Sequence, residues 1–154
     1  MPLDLYCSYT LNQILVTLGR HTERKRKHFQ EGVLYLPDKG LDIFFVTLKK
    51  SDKDYSSSTM YRDYAINKEK FHWHSQSITS VESTTGQKYI NQQNNGNRVL
   101  IFVRDYKKGG QAAVPYTCIG LADYVSYYGS APISIIWKMH EPMPGFVLKE
   151  AVTA

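Results

Sequence analysis

The sequence predicts an α+β fold that is β-rich: a curved sheet or small barrel with an N-terminal helix and short edge helices. Three observations predict it. One early stretch has helical periodicity, at least six runs of strand character follow it, and polar, turn-rich insertions separate those runs. The apolar share of 42% and charged share of 21% are those of globular chains, so the 154 residues can bury one core and leave little room for two. Residues 1–154 are therefore read as a single domain. The short, unmarked tail after Pro144 is also how a domain excised from a larger chain reads.

The helix comes first. Leu11, Ile14, Leu15 and Leu18 recur at helical spacing, Thr10 and Gln13 stand at capping-box spacing, and Gly19 ends the run. Residues 20–29 follow, dense in Arg and Lys and without apolar periodicity. They read as a solvated loop or a phosphate-contacting patch. GVLYL, the turn residues Pro37, Asp38, Lys39 and Gly40, and LDIFFVTL form a hairpin pattern, with Ile43, Phe45 and Thr47 on one face. A Lys- and Ser-rich loop leads into the short strand candidate MYRDYAI. In FHWHSQ, alternation sets Phe71, Trp73 and Ser75 on one side and His72, His74 and Gln76 on the other. Thr84 and Gln87 have capping-box spacing before a short helix, and Asn94, Asn95, Gly96 and Asn97 make a turn. RVLIFVRD is apolar on both faces and is placed at the centre of the sheet. PYTCIGLADYVSYY and PISIIWKM, parted by Gly129 and Pro132, are the last strands.

Composition narrows the partners. Net charge is +5 and the isoelectric point about 9.1, which favours anionic partners without making the chain polybasic. Twelve tyrosines supply flat, amphipathic rings suited to sheet surfaces or to stacking on bases. Cys7 and Cys118 are too few for a disulfide scaffold or a four-cysteine zinc site, and the start MPLDLYCSYT lacks the pattern of an export signal. A reducing, cytoplasmic setting is the expectation.

The motifs of common catalytic sites are missing. The chain has no GxxxxGK[ST], GxGxxG or GxSxG stretch, and neither cysteine has the local features of a nucleophile. His72 and His74 share a strand face at a spacing that sheet-borne metal sites can use, with His140 or a carboxylate as a conceivable third ligand. Paired strand histidines are more often ordinary hydrogen-bonding residues. Asp52, Asp54 and Asp63 lie near lysines, but no strand-borne Asp and Glu-x-Lys set follows. No catalytic residue and no metal ligand is assigned.

A constellation for a planar base remains. Tyr61, Tyr64, Phe71 and Trp73 offer ring faces, and Asp63, His72, Ser75 and Gln76 offer polar edges. An extruded cytosine needs stacking partners for its two faces and an acceptor for its exocyclic amine, for which Asp63 is the natural choice. Any of the aromatics could instead be core.

These residues also carry a resemblance. TMYRDYAINKEKFHWHSQSITSVESTTGQKYI, with EGVLYL and DIFFVTLKKSDKDYS before it and VLIFVRDYKK and IGLADYVSYYGSAPISIIWKMHEPMP after it, resembles a bacterial domain long classed as of unknown function. That domain is the C-terminal part of proteins joining a phospholipase-D-type nuclease to a DEAD/DEAH helicase, the SauUSI-like type IV restriction enzymes. The resemblance implies an SRA-like fold of the PUA-like superfamily, and a target-recognition role in which 5-methylcytosine in double-stranded DNA is read by base flipping. It implies no cofactor in this domain, and a parent protein that uses ATP and Mg in upstream helicase and nuclease domains. On that pocket logic Tyr61, Asp63, Tyr64, Trp73, Ser75 and Gln76 would hold the base, and Lys49, Lys50, Arg62, Lys88 and Arg98 would meet phosphates. A protein-interaction module of a helicase-nuclease, or a metal-dependent hydrolase, are the alternative readings.

Overall fold

The computed structural model describes residues 3–19, 29–30, 32–49, 63–106, 108–109 and 112–148. In chain order the elements are β1 (Ser8–Tyr9), α1 (Leu11–Thr17), β2 (Phe29–Gln30), β3 (Val33–Leu36), β4 (Leu41–Lys49), β5 (Tyr64–Ala65), β6 (Lys70–His74), α2 (Thr84–Ile90), β7 (Arg98–Tyr106), β8 (Lys108–Gly109), β9 (Ala112–Ala113), β10 (Tyr116–Tyr128) and β11 (Ser134–Met139). Among the described residues nine strands make one sheet in the order β2-β3-β4-β7-β10-β11-β6-β5, with β1 added to β10, while β8 and β9 form a separate pair. This is the β-rich α+β fold the sequence predicts, and of its two forms it is the open sheet: among the described residues the path runs from β2 to β5 without closing.

The centre of the sheet is the parallel pair β4 and β7, with Leu41 opposite Arg98 and Phe44 opposite Ile101. A parallel pair needs a crossover, and here it spans everything between residues 49 and 98, including β5, β6 and α2. Both faces of β4 and β7 are covered, which is why their apolar runs are continuous. On one face Ile14, Leu15 and Leu18 of the α1 segment pack on Leu34, Leu36, Ile43, Phe45, Leu100 and Phe102. On the other face Phe44, Val46, Val99 and Ile101 meet Phe71, Trp73, Tyr89, Ile135 and Trp137.

Local chemistry sets the ends of these elements. The Thr10 hydroxyl accepts from Gln13 N at 3.1 Å and the Gln13 side chain accepts from Thr10 N at 2.9 Å, a complete capping box. Gly19, at φ +72°, takes the left-handed turn that ends α1. The turn Pro37–Lys39 closes the predicted β3–β4 hairpin. β10 is 13 residues long because it bends: register shifts fall between Cys118 and Gly120 and between Tyr124 and Ser126, and Gly120 at φ +101° absorbs the first. Its early half pairs with β1 and its late half with β11.

α2 differs from the sequence reading by one residue. Its cap is Ser83, whose hydroxyl accepts from Gly86 N at 3.0 Å, while the predicted partner Gln87 donates its side-chain amide to Val81 O at 2.7 Å. The helix docks closely. A methyl group at Gly86 would lie 2.2 Å from Ser80 O and 2.9 Å from Ile133 Cδ1. Alanine in a helix normally gains up to about 1 kcal/mol over glycine. Gly86→Ala should instead lose roughly 1–3 kcal/mol, because backbone must move to admit the methyl. Urea unfolding checks the sign, and a stabilised variant would contradict this docking.

Among the described residues no helix is long and apolar enough to cross a membrane.

Candidate functional site

The face of the sheet that α1 covers over β3, β4 and β7 extends past β10 onto β11, β6 and β5, and among the described residues no helix covers it there. Alternation decides what it presents. In β6, Phe71 and Trp73 enter the core, so Lys70, His72 and His74 point the opposite way. In β11, Ile135, Trp137 and Met139 enter the core, leaving Ser134, Ile136 and Lys138 on the same face as the histidines. Register then builds two rows across the strands. Tyr64, His72 and Ile136 stand side by side in one, and His74, Ser134 and Tyr128 in the other.

His72 lies at the centre. The ring of Tyr64 stacks on it at 4.7 Å and 23°, the ring of His74 meets it edge-on at 4.6 Å, and Tyr128, 64% exposed, lies 6.3 Å away. Asp63 immediately precedes β5. Its Oδ1 accepts from His74 N at 2.8 Å and lies 3.5 Å from His74 Nδ1, which fixes the carboxylate beside the ring group. Oδ2 makes no hydrogen bond among the described residues and is the oxygen left to accept. The arrangement groups flat rings, with His72 only 5% exposed beneath Tyr64, and an oriented anionic acceptor within one residue of them, the components that a nucleobase with an exocyclic amine would engage once Tyr64 moved.

The predicted base-binding residues divide. Asp63 and Tyr64 are together here, and Tyr61 lies outside the described residues. Trp73 corrects the expectation. Only 4% exposed, it stacks face to face on Phe44 at 3.9 Å and 5°, with Tyr89 and Trp137 edge-on around it, so it is a core residue. Ser75 is buried and structural: its hydroxyl accepts from Ile133 N at 2.8 Å and donates to Gln76 O at 3.1 Å. Gln76 is buried too, its Oε1 accepting from Tyr89 OH at 3.1 Å and Thr79 Oγ1 at 3.2 Å. Burial pushes the Tyr89 phenol up, keeping it a neutral donor in that bond.

Of the predicted phosphate contacts, only Lys88 and Arg98 have side chains among the described residues. Lys50 and Arg62 lie outside the described residues, and so does the side chain of Lys49. Arg98, on β7, donates to Lys39 O at 3.1 Å, with β10 and β11 between it and the histidine strand. Lys88 is committed elsewhere: its ammonium lies 3.0 Å from Asp42 Oδ1 and 3.3 Å from the centre of the Tyr35 ring. Asp42 is fully buried and also accepts from Asn97 Nδ2 at 2.8 Å. Burial pushes the Asp42 carboxyl up and the Lys88 ammonium down, while each partner pulls the other back toward its charged form. The sequence held the signal for this pair in LDIFF, where an acid inside a strand apolar on both faces requires a buried donor. His140, the imagined third metal ligand, instead lies 3.1 Å from Asp123 Oδ2.

Tyr128 is the addition, and His72, read from the sequence as a polar edge, becomes the central ring. Alternation in KFHWH set His72 opposite Phe71, but the pairing that places Tyr64 over it and Tyr128 near it joins residues far apart in sequence, and no local pattern carries that.

Known proteins share this architecture. The SRA domain of SUVH5 in complex with fully methylated CG DNA superposes with a TM-score of 0.57 at 16% identity, covering 93% of each chain. Its complex with hemimethylated CG DNA gives 0.57 at 16% over 94% of this chain and 93% of that one. Its complex with methylated CHH DNA gives 0.57 at 16% over 93% and 92%. Identity this low establishes a shared fold and nothing further. The DNA recognition domain of the cytosine modification-dependent restriction endonuclease LpnPI overlaps 65% of the chain with a TM-score of 0.39, too little to weigh. Among curated proteins none matches. The family model described as a domain of unknown function, DUF3427, matches residues 3–150, nearly the whole chain and its open sheet alike, and the chain belongs to that family.

Proposed function

We propose that this domain is a non-catalytic reader of modified cytosine in duplex DNA, taking an extruded base at the ring group around His72. The observation that carries the reading is the Asp63 carboxylate, oriented by His74 N at 2.8 Å, one residue from a tyrosine already stacked on an imidazole. In this reading Tyr64 lies over His72 as a base would. It belongs to a two-residue edge strand whose register pairs are Tyr64 with His72 and Ala65 with Phe71. The Tyr64 side chain swings aside while Asp63 stays held by His74 N and Ala65 stays buried in the core, and the base enters beside His72, giving its amine to Asp63 Oδ2. Extrusion costs a few kcal/mol, and stacking at about 1–3 kcal/mol per base together with backbone contacts can offset it.

The shared fold supports this, since the SUVH5 structures are complexes of an SRA domain with methylated DNA. The sequence resemblance extends it to a division of labour. The domain selects the site and contributes neither cofactor nor cutting chemistry, while helicase and nuclease domains of a parent type IV restriction enzyme use ATP and Mg. Titration at one fixed salt concentration tests the reading: a duplex with 5-methylcytosine should bind more tightly than the same duplex with cytosine. Equal affinities would contradict it.

A further inference from the structure

The histidine face continues along the strands to two lysines. Lys70 of β6 and Lys138 of β11 stand directly opposite one another in the antiparallel register, both exposed, on the same face as His72 and Ile136. Neither forms an ion pair among the described residues. On its other side Lys138 is opposite Asp123 of β10, but that carboxylate is engaged by His140 Nε2 at 3.1 Å and by Gln92 Nε2 at 3.5 Å. Like charges in directly opposed positions repel and destabilise a sheet. Neutral residues would remove that cost, so the pair is suited to an anion bridging the two ammonium groups.

Position identifies the anion. Strands rise about 3.3 Å per residue, so the lysine row lies about 7 Å from the row of Tyr64, His72 and Ile136, parallel to it on the same face. We propose that Lys70 and Lys138 clamp the phosphodiester backbone of the DNA strand whose base is read at His72. The proposal rests on the DNA-reading function and replaces the phosphate contacts that the structure assigns to other work. Free inorganic phosphate satisfies the charge but not this alignment with the ring group.

The test uses the full chain, with duplexes that do and do not carry 5-methylcytosine, over a range of salt. Each phosphate contact contributes a slope of about 0.9 in log affinity against log salt. Lys70→Gln and Lys138→Gln should therefore each shrink the affinity lost between about 50 and about 200 mM salt by about 3.5-fold, and the double variant by about 12-fold. Both duplexes should weaken in parallel, because phosphate contacts carry no base information. Lys39→Gln, in the exposed turn at the opposite end of the sheet, should leave the slope near that of the unaltered chain. The glutamine variants relieve a repulsion, so they should melt at or above the temperature of the unaltered chain while binding DNA more weakly. Unchanged slopes, an equal effect from Lys39→Gln, or a fall in melting temperature alongside weaker binding would each overturn the clamp. Failure of the unaltered chain to tell the two duplexes apart defeats the reading function itself, and is seen separately.

Discussion

Asp42→Ala should destabilise the fold by about 3–5 kcal/mol, a large part of the roughly 5–15 kcal/mol that holds a domain of this size together. The reason is the company Asp42 keeps. It is fully buried on β4, with the Lys88 ammonium at 3.0 Å from α2 and the Asn97 amide at 2.8 Å from the turn before β7. Truncation leaves the lysine in a site that already disfavours its charge, and deprives two donors of their acceptor. Lys88→Ala should cost a similar amount, because it strands a carboxylate that burial already pushes toward its neutral form. Replacing both at once, Asp42→Asn with Lys88→Met, should recover much of the loss, since a buried ion pair can be exchanged for neutral residues of similar volume at little net cost. Urea unfolding of the three variants decides it. Single variants losing less than about 1 kcal/mol would mean that the pair is solvated.

Asp63→Asn should reduce affinity for a methylated duplex by roughly 10- to 100-fold while leaving affinity for plain DNA nearly unchanged, as expected for loss of one hydrogen bond to a charged acceptor. Asparagine can retain Oδ1 as acceptor for His74 N, so the local fold is kept. It presents an NH2 group where the cytosine amine needs an acceptor, which penalises the extruded state. Only that state brings the 5-position into contact with the rings, so preference for the methyl group disappears with it. Paired binding curves against both duplexes check this. A variant that keeps its preference would remove Asp63 from the site.

Much of the fold was legible because single-element patterns are local. The Thr10–Gln13 box, the β3–β4 hairpin around Pro37–Lys39 and the two-faced apolar run of β7 each depend on residues within a few positions of one another, and each is found where the sequence places it. The site was less legible. Alternation correctly set Trp73 against His72, but with aromatic residues on both sides of β6 it could not say which side faces the core. The structure gives that side to Trp73, which joins Phe44 of β4 and Tyr89 of α2. Lys88 looked like a surface charge because its partner is on a strand that reaches α2 only through the long crossover between β4 and β7. Lys70 and Lys138 could be assigned a face from KFHWH and SIIWKM, but that they stand opposite one another follows only from register. What the sequence conceals is therefore the pairing of distant strands, and the base-reading face is built from it.

NMR signals from the histidine rings give the most direct test of base capture at this face. On adding a duplex with one 5-methylcytosine, the resonances of His72 and His74 should move strongly, because a stacked base imposes its ring current on them, and the unmethylated duplex should move them far less. Identical shifts with both duplexes, or shifts confined to His140, would mean that the modified base is not held at His72.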